Sequence, residues 1–385
     1  MKRWSVCLLL LFCAHLFAAS VWAFKKPLAP HTRGNLHPHV LRTNTYSLNA
    51  RNVKALAQHG KDLWMGTSMG LIRYDTDSVE NYQVFDNKNG LLSNGIFSIF
   101  MDPAGRPWIA TYGGGLSVLD DSGWVNFNTP HGLLDSFVYD LHFSQGDLWI
   151  ATWSGVNRVR GDLLTKESWE SFTVENTHGG LIDNWVYGIE VDKKGRIWFG
   201  TESGISMLND GKWRKWNHED GLGAQHREVR EDNLAVMSPF TGEHHTEHSA
   251  PALPNTSTLD YRPNYVVSFL LDRKDRLWMG TWGGGLSVLD TRTFTFRNFT
   301  QQNGLPGNYI LALKEGPFGN LWIGSNAGLS RFDGETFENF GRINGLSGGF
   351  VFSIEFGPDH SLWIGGHQGV DRLRLNPSTQ DPGRL

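Results

Sequence analysis

Residues Arg276 to Asp290 read RLWMGTWGGGLSVLD, and much of the same text stands at Arg106 to Asp120 as RPWIATYGGGLSVLD. A tryptophan in a short apolar run, a small residue two places on, and a glycine-led second apolar stretch form one unit. Weaker copies lie on both sides. Their tryptophans are Trp64, Trp108, Trp149, Trp198, Trp278, Trp322 and Trp363, spaced by 44, 41, 49, 80, 44 and 41 residues. A period in this range marks a repeat architecture, and the spacing of 80 is one unit carrying an insertion.

Each unit reads as four strands. The innermost is apolar and alternating, as in Ile96-Phe97-Ser98-Ile99, and ends in a turn such as Asp102-Pro103-Ala104-Gly105. The second holds the tryptophan in a continuous apolar run, the pattern of a strand covered on both faces. The third follows a glycine turn. The outermost carries two aromatic residues three apart: Tyr82/Phe85, Trp124/Phe127, Trp169/Phe172, Trp213/Trp216, Phe296/Phe299 and Phe337/Phe340. A Gly-Leu pair, such as Gly90-Leu91 or Gly304-Leu305, then leads to the next unit.

Seven anchor strands but six outer strands leave the last unit one strand short. The stretch from His39 to Leu48 precedes the first inner strand and belongs to no unit of its own. It is expected to supply the missing strand and close the ring. The fold class is therefore all-β, a seven-bladed β-propeller of four-stranded antiparallel blades, closed by an N-terminal strand completing the last blade. Each anchor tryptophan is expected to pack between blades.

Composition agrees with many short strands joined by tight turns: 385 residues with 45 glycines and 16 tryptophans. Residues 1–23 carry Lys2 and Arg3, an apolar run and Val21-Trp22-Ala23, the form of a secretory signal peptide cleaved after Ala23. Both cysteines, Cys7 and Cys13, lie inside it, so the mature chain would have no disulfide, thiolate metal site or cysteine nucleophile. Loss of Lys2 and Arg3 takes the formal charge from −4 to −6. A mildly acidic product without basic clusters is a poor nucleic-acid binder, and no later stretch is apolar enough to span a bilayer. A periplasmic or secreted protein is expected.

The repeat resembles that of the two-component regulator propeller family, whose units read approximately LWIGT, then a Gly-Leu turn, an aspartate, an aromatic pair and a further Gly-Leu. The resemblance runs from about Arg42 to Asn376. It implies the propeller fold and a habit of ligand binding, since such propellers commonly form the extracytoplasmic sensor of a membrane-spanning histidine kinase, often one recognising carbohydrate. The chain is read here as a stand-alone exported propeller, without the kinase. Its parts are expected to be a signal peptide (1–23), an extension leading into the closing strand (24–41), the propeller (42–376) with a loop insertion at about 223–262, and a polar tail (377–385).

Because strand direction alternates, the link from second to third strand and the link to the next blade emerge on one face. The residues just after the anchor strands are Ser68, Tyr112, Trp153, Glu202, Trp282, Asn326 and His367. Those just before the inner strands are Asn52, Gly95, Phe137, Trp185, Tyr265, Tyr309 and Phe350. Eight of these fourteen are aromatic, a composition suited to sugar faces, aromatic compounds or a protein surface. The candidate ligand-binding set is Tyr112, Trp153, Glu202, Trp282, His367, Phe137, Trp185, Tyr265, Tyr309 and Phe350. The alternative is that these rings cap the core between the blades.

The insertion is rich in Pro, Ser, Thr and Asn, and its position makes it a candidate lid. His244, His245 and His248 within it match no closed metal site, so no metal and no cofactor are assigned. Neither a nucleophile elbow nor a phosphate loop occurs, and a non-enzymatic binding module is the leading expectation. Its partner would be a carbohydrate-like or other small ligand. The alternatives are a scaffold for a periplasmic protein such as a sensor kinase, and a lyase or hydrolase using Glu202 and His367.

Overall fold

The computed structural model describes residues 31–32, 40–46, 51–78, 82–161, 163, 165–229 and 261–375. The signal-peptide segment, the polar tail and the three insertion histidines lie outside the described residues. Seven antiparallel sheets are arranged as blades, six of four strands in sequential order. Blade 3, for example, runs Val138–Ser144, Asp147–Thr152, Gly155–Arg160 and Trp169–Phe172 from the axis outward. Each inner strand neighbours the next, and that of blade 7 neighbours that of blade 1, so the ring is closed.

Blade 7 takes Ser353–Phe356, Ser361–Gly366 and Gly369–Leu375 from the C-terminal side and Val40–Tyr46 from the N-terminal side. The closing strand pairs antiparallel from Val40 opposite Leu375 to Tyr46 opposite Val370. The ring is thus closed as the strand count requires. A short fifth strand, His31–Thr32, pairs outside it, within the stretch read from sequence as an extension.

Burial explains the repeated letters. The anchor tryptophans are all buried, Trp198 and Trp322 completely. In blades 2, 4 and 5 the turn aspartates Asp102, Asp192 and Asp272 each accept the indole N–H of their blade's tryptophan, at 3.1, 3.0 and 2.9 Å. The same carboxylates accept from the Nε of Arg106, Arg196 and Arg276 at 2.7, 2.5 and 2.6 Å. Burying an aromatic donor costs less when its polar atom is satisfied, and in blade 4 the aspartate does this while the guanidinium of Arg196 lies over the ring, 5.3 Å from its centroid.

The outer aromatic pairs lock neighbouring blades. Phe85 stacks on Trp64 of its own blade at 6.0 Å and meets Trp124 of the next edge-on at 5.5 Å. Phe299 does the same between Trp278 and Phe337, at 6.3 and 5.5 Å. The glycine of the Gly-Leu link lies beneath the incoming ring: a Cβ on Gly90 would stand 2.1 Å from Trp124 Cδ1, and its φ is +127°. The leucines are buried, Leu181 and Leu222 fully. Two residues beyond the anchor, a Cβ on Gly280 would come within 2.5 Å of the Ile310 carbonyl oxygen. This close approach of the next blade's inner strand is why the position is small.

Candidate functional site

The two sets of rim residues meet through the backbone. In blades 2, 3, 4 and 6 the first-set amide donates to the second-set carbonyl: Tyr112 to Gly95 at 2.8 Å, Trp153 to Phe137 at 3.1 Å, Glu202 to Trp185 at 3.2 Å and Asn326 to Tyr309 at 3.1 Å. Trp282 and Tyr309 form a bridge between blades 5 and 6, and Asn52 N–H donates to the His367 carbonyl across the closure of the ring at 3.2 Å. The fixed direction of antiparallel strands, with links of similar length, puts these positions at one level around one face.

On this frame the rings form two connected paths. The outer runs from Tyr112 to Phe137 (4.6 Å between centroids), Trp153 (5.0 Å) and Trp185 (4.6 Å), across blades 2 to 4. The inner runs from Phe97 to Tyr139 (4.8 Å), Tyr187 (4.7 Å), Tyr265 (4.9 Å), Trp282 (5.8 Å) and Tyr309 (5.0 Å), reaching blade 6. Phe97 and Tyr112 join them at 5.5 Å. Most contacts are tilted or edge-on, the favourable arrangement for ring quadrupoles.

Phe350 and His367 stand apart from this crescent. They contact each other at 5.0 Å and, with Phe352, make a second patch on blade 7. His367 Nδ1 lies 2.5 Å from Asn52 Oδ1, and burial pushes its pKa below the usual imidazole value, so the ring is neutral at pH 7. Glu202 is tied to Arg262, with Nη1 to Oε1 at 3.2 Å. Blades 5 and 6 therefore separate the two groups that an acid–base pair of Glu202 and His367 would need together.

Burial divides the crescent unequally. Tyr112, Phe137, Trp153 and Trp185 are partly exposed, whereas Trp282 and Tyr265 each retain only 8% of their surface. Trp282 is thus as much core as face. The polar residues beside the rings are largely engaged in shaping the links. Asp135 accepts from Phe137 N–H at 2.9 Å and Ser154 Oγ at 2.5 Å; Asp183 accepts from Trp185 N–H at 3.0 Å and from Ser203 Oγ. Asn264 accepts from His218 N–H at 2.5 Å and Asn308 from Gln301 N–H at 3.0 Å. The Trp185 indole N–H has no hydrogen-bond partner.

The rim sets did not include the layer two residues deeper: Lys54, Phe97, Tyr139, Tyr187 and Phe352. The inner strands of blades 2 to 6 shift register here, between Ile96 and Ser98, Val138 and Asp140, Val186 and Gly188, Val266 and Ser268, and Ile310 and Ala312. Such a bulge re-aims a side chain, and Phe97, Tyr139 and Tyr187 make the inner ring path. Lys54 Nζ stands 4.8 Å from the Phe97 centroid, and burial lowers its pKa. Period-two alternation counted inward from Gly95, Phe137 and Trp185 is the signal that points to them. Desolvation raises the pKa of both Tyr139 and Tyr187, keeping their hydroxyls protonated.

The insertion leaves and re-enters the propeller beside blade 5. Ala224 N–H donates to the Gly284 carbonyl at 2.9 Å, and the Tyr261 hydroxyl donates to the Ala224 carbonyl, drawing the two ends together. Among the described residues no group of three or more His, Cys, Asp or Glu could hold a metal ion, and no helix is long and apolar enough to cross a membrane.

The family profile described as Two component regulator propeller matches residues 180–203, 260–283 and 304–327, each segment running through an inner strand to its anchor strand. Among solved structures, the extracellular domain of a hybrid two component system from B. thetaiotaomicron is 22% identical, with a TM-score of 0.66 over 86% of this chain and 39% of that one. The extracellular domain of a one component system from the same organism is 17% identical, with a TM-score of 0.58 over 89% and 40%. This chain therefore spans about two-fifths of either. Virginiamycin B lyase from Staphylococcus aureus, solved with quinupristin, is 12% identical, with a TM-score of 0.59 over 90% and 99%. At these identities the likeness is one of fold. No curated protein matches the chain.

Proposed function

We propose that this chain, three of whose blades match the two component regulator propeller profile, is an exported, non-enzymatic, sensor-like binding module. Its ligand is carbohydrate-like, or another small molecule with flat apolar faces, and lies on the crescent formed by blades 2 to 6. The observation that carries this reading is the outer path Tyr112, Phe137, Trp153 and Trp185, four half-buried rings in unbroken contact on one face. Large rigid rings give contact area at little entropic cost. Beside them, the Glu202–Arg262 pair offers the polar contacts that orient a hydroxylated ligand. The extracellular domains of a hybrid two component system and of a one component system share this fold and support the reading, and so does the separation of Glu202 from His367.

The test is a glycan array followed by isothermal titration with any binder. A binder whose affinity falls in Trp153→Ala and Trp185→Ala supports the proposal, and unchanged affinity in both overturns it.

A protein partner, such as a periplasmic sensor kinase, is the second reading. It is favoured by Met69 and Leu92, which remain 59% and 45% exposed in the links of blade 1 that open on the same face. Pull-down from envelope extract separates the two, since a single stoichiometric protein lost in Met69→Asp favours the scaffold.

A further inference from the structure

Blades 6 and 7 depart from the aspartate bond that satisfies the buried tryptophans of blades 2, 4 and 5, although the backbone of the turn is the same in all five. The turn residue six places before the tryptophan donates its N–H to the carbonyl four places on. Asp102 does so to Arg106, Asp192 to Arg196 and Asp272 to Arg276, at 3.1, 3.0 and 2.9 Å, and so do Gly316 to Asn320 and Gly357 to Ser361, both at 2.8 Å. Glycine thus stands where the carboxylate stands elsewhere. Trp322 and Trp363 are buried all the same, and neither indole N–H has a hydrogen-bond partner among the described residues. In blade 6 the Oδ1 and the Nδ2 of Asn320, itself only 6% exposed, are unpartnered in the same way.

These polar atoms converge on the glycines. Trp322 Nε1 lies 3.1 Å from the position a Cβ of Gly316 would take, and Asn320 Oδ1 lies closer still. Around the same position on Gly357 stand Trp363 Nε1 at 3.1 Å, Asp359 Oδ1 at 3.2 Å and, nearest, Ser361 Oγ. We propose that each of these two glycine turns binds one internal water molecule, which takes the part of the aspartate carboxylate. In blade 6 it accepts from the Trp322 indole N–H and exchanges a hydrogen bond with the Asn320 amide. In blade 7 it accepts from the Trp363 indole N–H and donates to Asp359 or Ser361.

The chemistry of the lining selects water over an ion. An indole N–H only donates, so it turns a cation away. An anion needs a cation to offset its burial. In blade 6 the nearby guanidinium of Arg273 is already engaged, donating to the Gly316 and Pro317 carbonyls at 2.9 and 3.1 Å and pairing with Glu315 at 2.9 Å. In blade 7 the Asp359 carboxylate, which accepts from Ser361 Oγ at 2.5 Å and Arg372 Nη2 at 2.7 Å, repels a second negative charge. A water both accepts and donates, and internal waters are held where buried polar groups would otherwise go unpaired. These turns join first strand to second and lie on the face opposite the rim, so the assignment is independent of the binding reading given above.

The test is a high-resolution crystal structure of the full chain, joined to nuclear magnetic resonance measurement of cross-relaxation between water and the indole protons. An ordered solvent peak is expected at hydrogen-bond distance from Nε1 of both Trp322 and Trp363, with water cross-relaxation at both indoles. The double variant Gly316→Asp with Asn320→Arg, which restores the residues of blades 4 and 5, should lose the signal at Trp322 and keep that at Trp363. A map that shows other internal waters but none at these indoles overturns the proposal, as does a direct bond from the Trp322 indole to Asn320 or an ion in either turn. The wild-type measurements decide the question even if the double variant does not fold.

Discussion

Trp153 and Trp185 stand on adjacent blades with their ring centroids 4.6 Å apart, joined only by the 31 residues of chain that build the rest of blade 3 and the link after it. Neither is fully buried. Replacing Trp153 with alanine is expected to cost binding roughly 1–2 kcal/mol, about tenfold in Kd, with little change in melting temperature. Trp282, at 8% exposure and wedged between Tyr265 and Tyr309, behaves differently: its alanine variant should lose roughly 3–5 kcal/mol of stability. Titration calorimetry and denaturant unfolding of the two variants check the contrast.

Removing the carboxylate of Asp192 strands four donors at once: the indole N–H of Trp198, the Nε of Arg196 and the backbone N–H groups of Lys194 and Arg196. Arg196 is itself buried. Asp192→Ala should therefore destabilise by roughly 3–5 kcal/mol, the penalty of an uncompensated buried charge. The equivalent change at Asp102, whose partner Arg106 is half exposed, should cost less. Urea unfolding midpoints compare them.

Ring closure can be tested at Tyr46. This residue of the N-terminal strand is 5% exposed, between Tyr74 of blade 1 and Trp363 of blade 7, at 5.9 and 5.6 Å. Tyr46→Ala is expected to lose roughly 3–5 kcal/mol. Hydrogen exchange should show the loss of protection concentrated in Gly369–Leu375, the strand it covers.

A methyl group on Gly90 would meet the indole of Trp124 at 2.1 Å in a backbone conformation with φ of +127°. Gly60→Ala, with positive φ but open space around it, should cost about 1 kcal/mol for the left-handed conformation alone. Gly90→Ala should cost clearly more, because the ring seam between blades 1 and 2 must also open. Thermal melts of both proteins measure the difference.

Stability should decline as the pH rises from 7 to 9. Glu190 has its folded pKa raised to about 8 by burial and by Asp140, so the folded state holds a proton that the unfolded chain has already lost. The unfolded state binds fewer protons, and unfolding becomes easier as pH climbs through that value. His142, whose pKa burial lowers, is neutral in both states over this window and does not oppose the trend. Denaturant midpoints in Glu190→Gln should be flatter with pH.

The fold was legible almost entirely from sequence because its marks are local. A buried tryptophan in every blade, an aromatic pair on six of the seven outer strands and a glycine beneath incoming rings such as Trp124, Trp169 and Trp213 are imposed by contacts that neighbouring blades repeat. The site was legible in part. Parity placed the rim positions on one face, yet it could not tell that Asp135 and Asp183 are spent on Ser154 and Ser203. Nor could it tell that His367 and Phe350 fall in a patch separate from the crescent.

Sequence by itself determined the number of blades and the strand that closes the ring, since periodicity and an unmatched edge are properties of the chain read in order. Only the tertiary structure decided which rings touch. Tyr187 and Tyr265 lie 4.9 Å apart although the insertion stands between them in the chain, and a bulge in the inner strands of blades 2 to 4 accompanies the Phe97, Tyr139 and Tyr187 contacts. The same is true of Asp140 and Glu190, ordinary acids in the sequence, whose neighbours across the blades are set only when the ring forms.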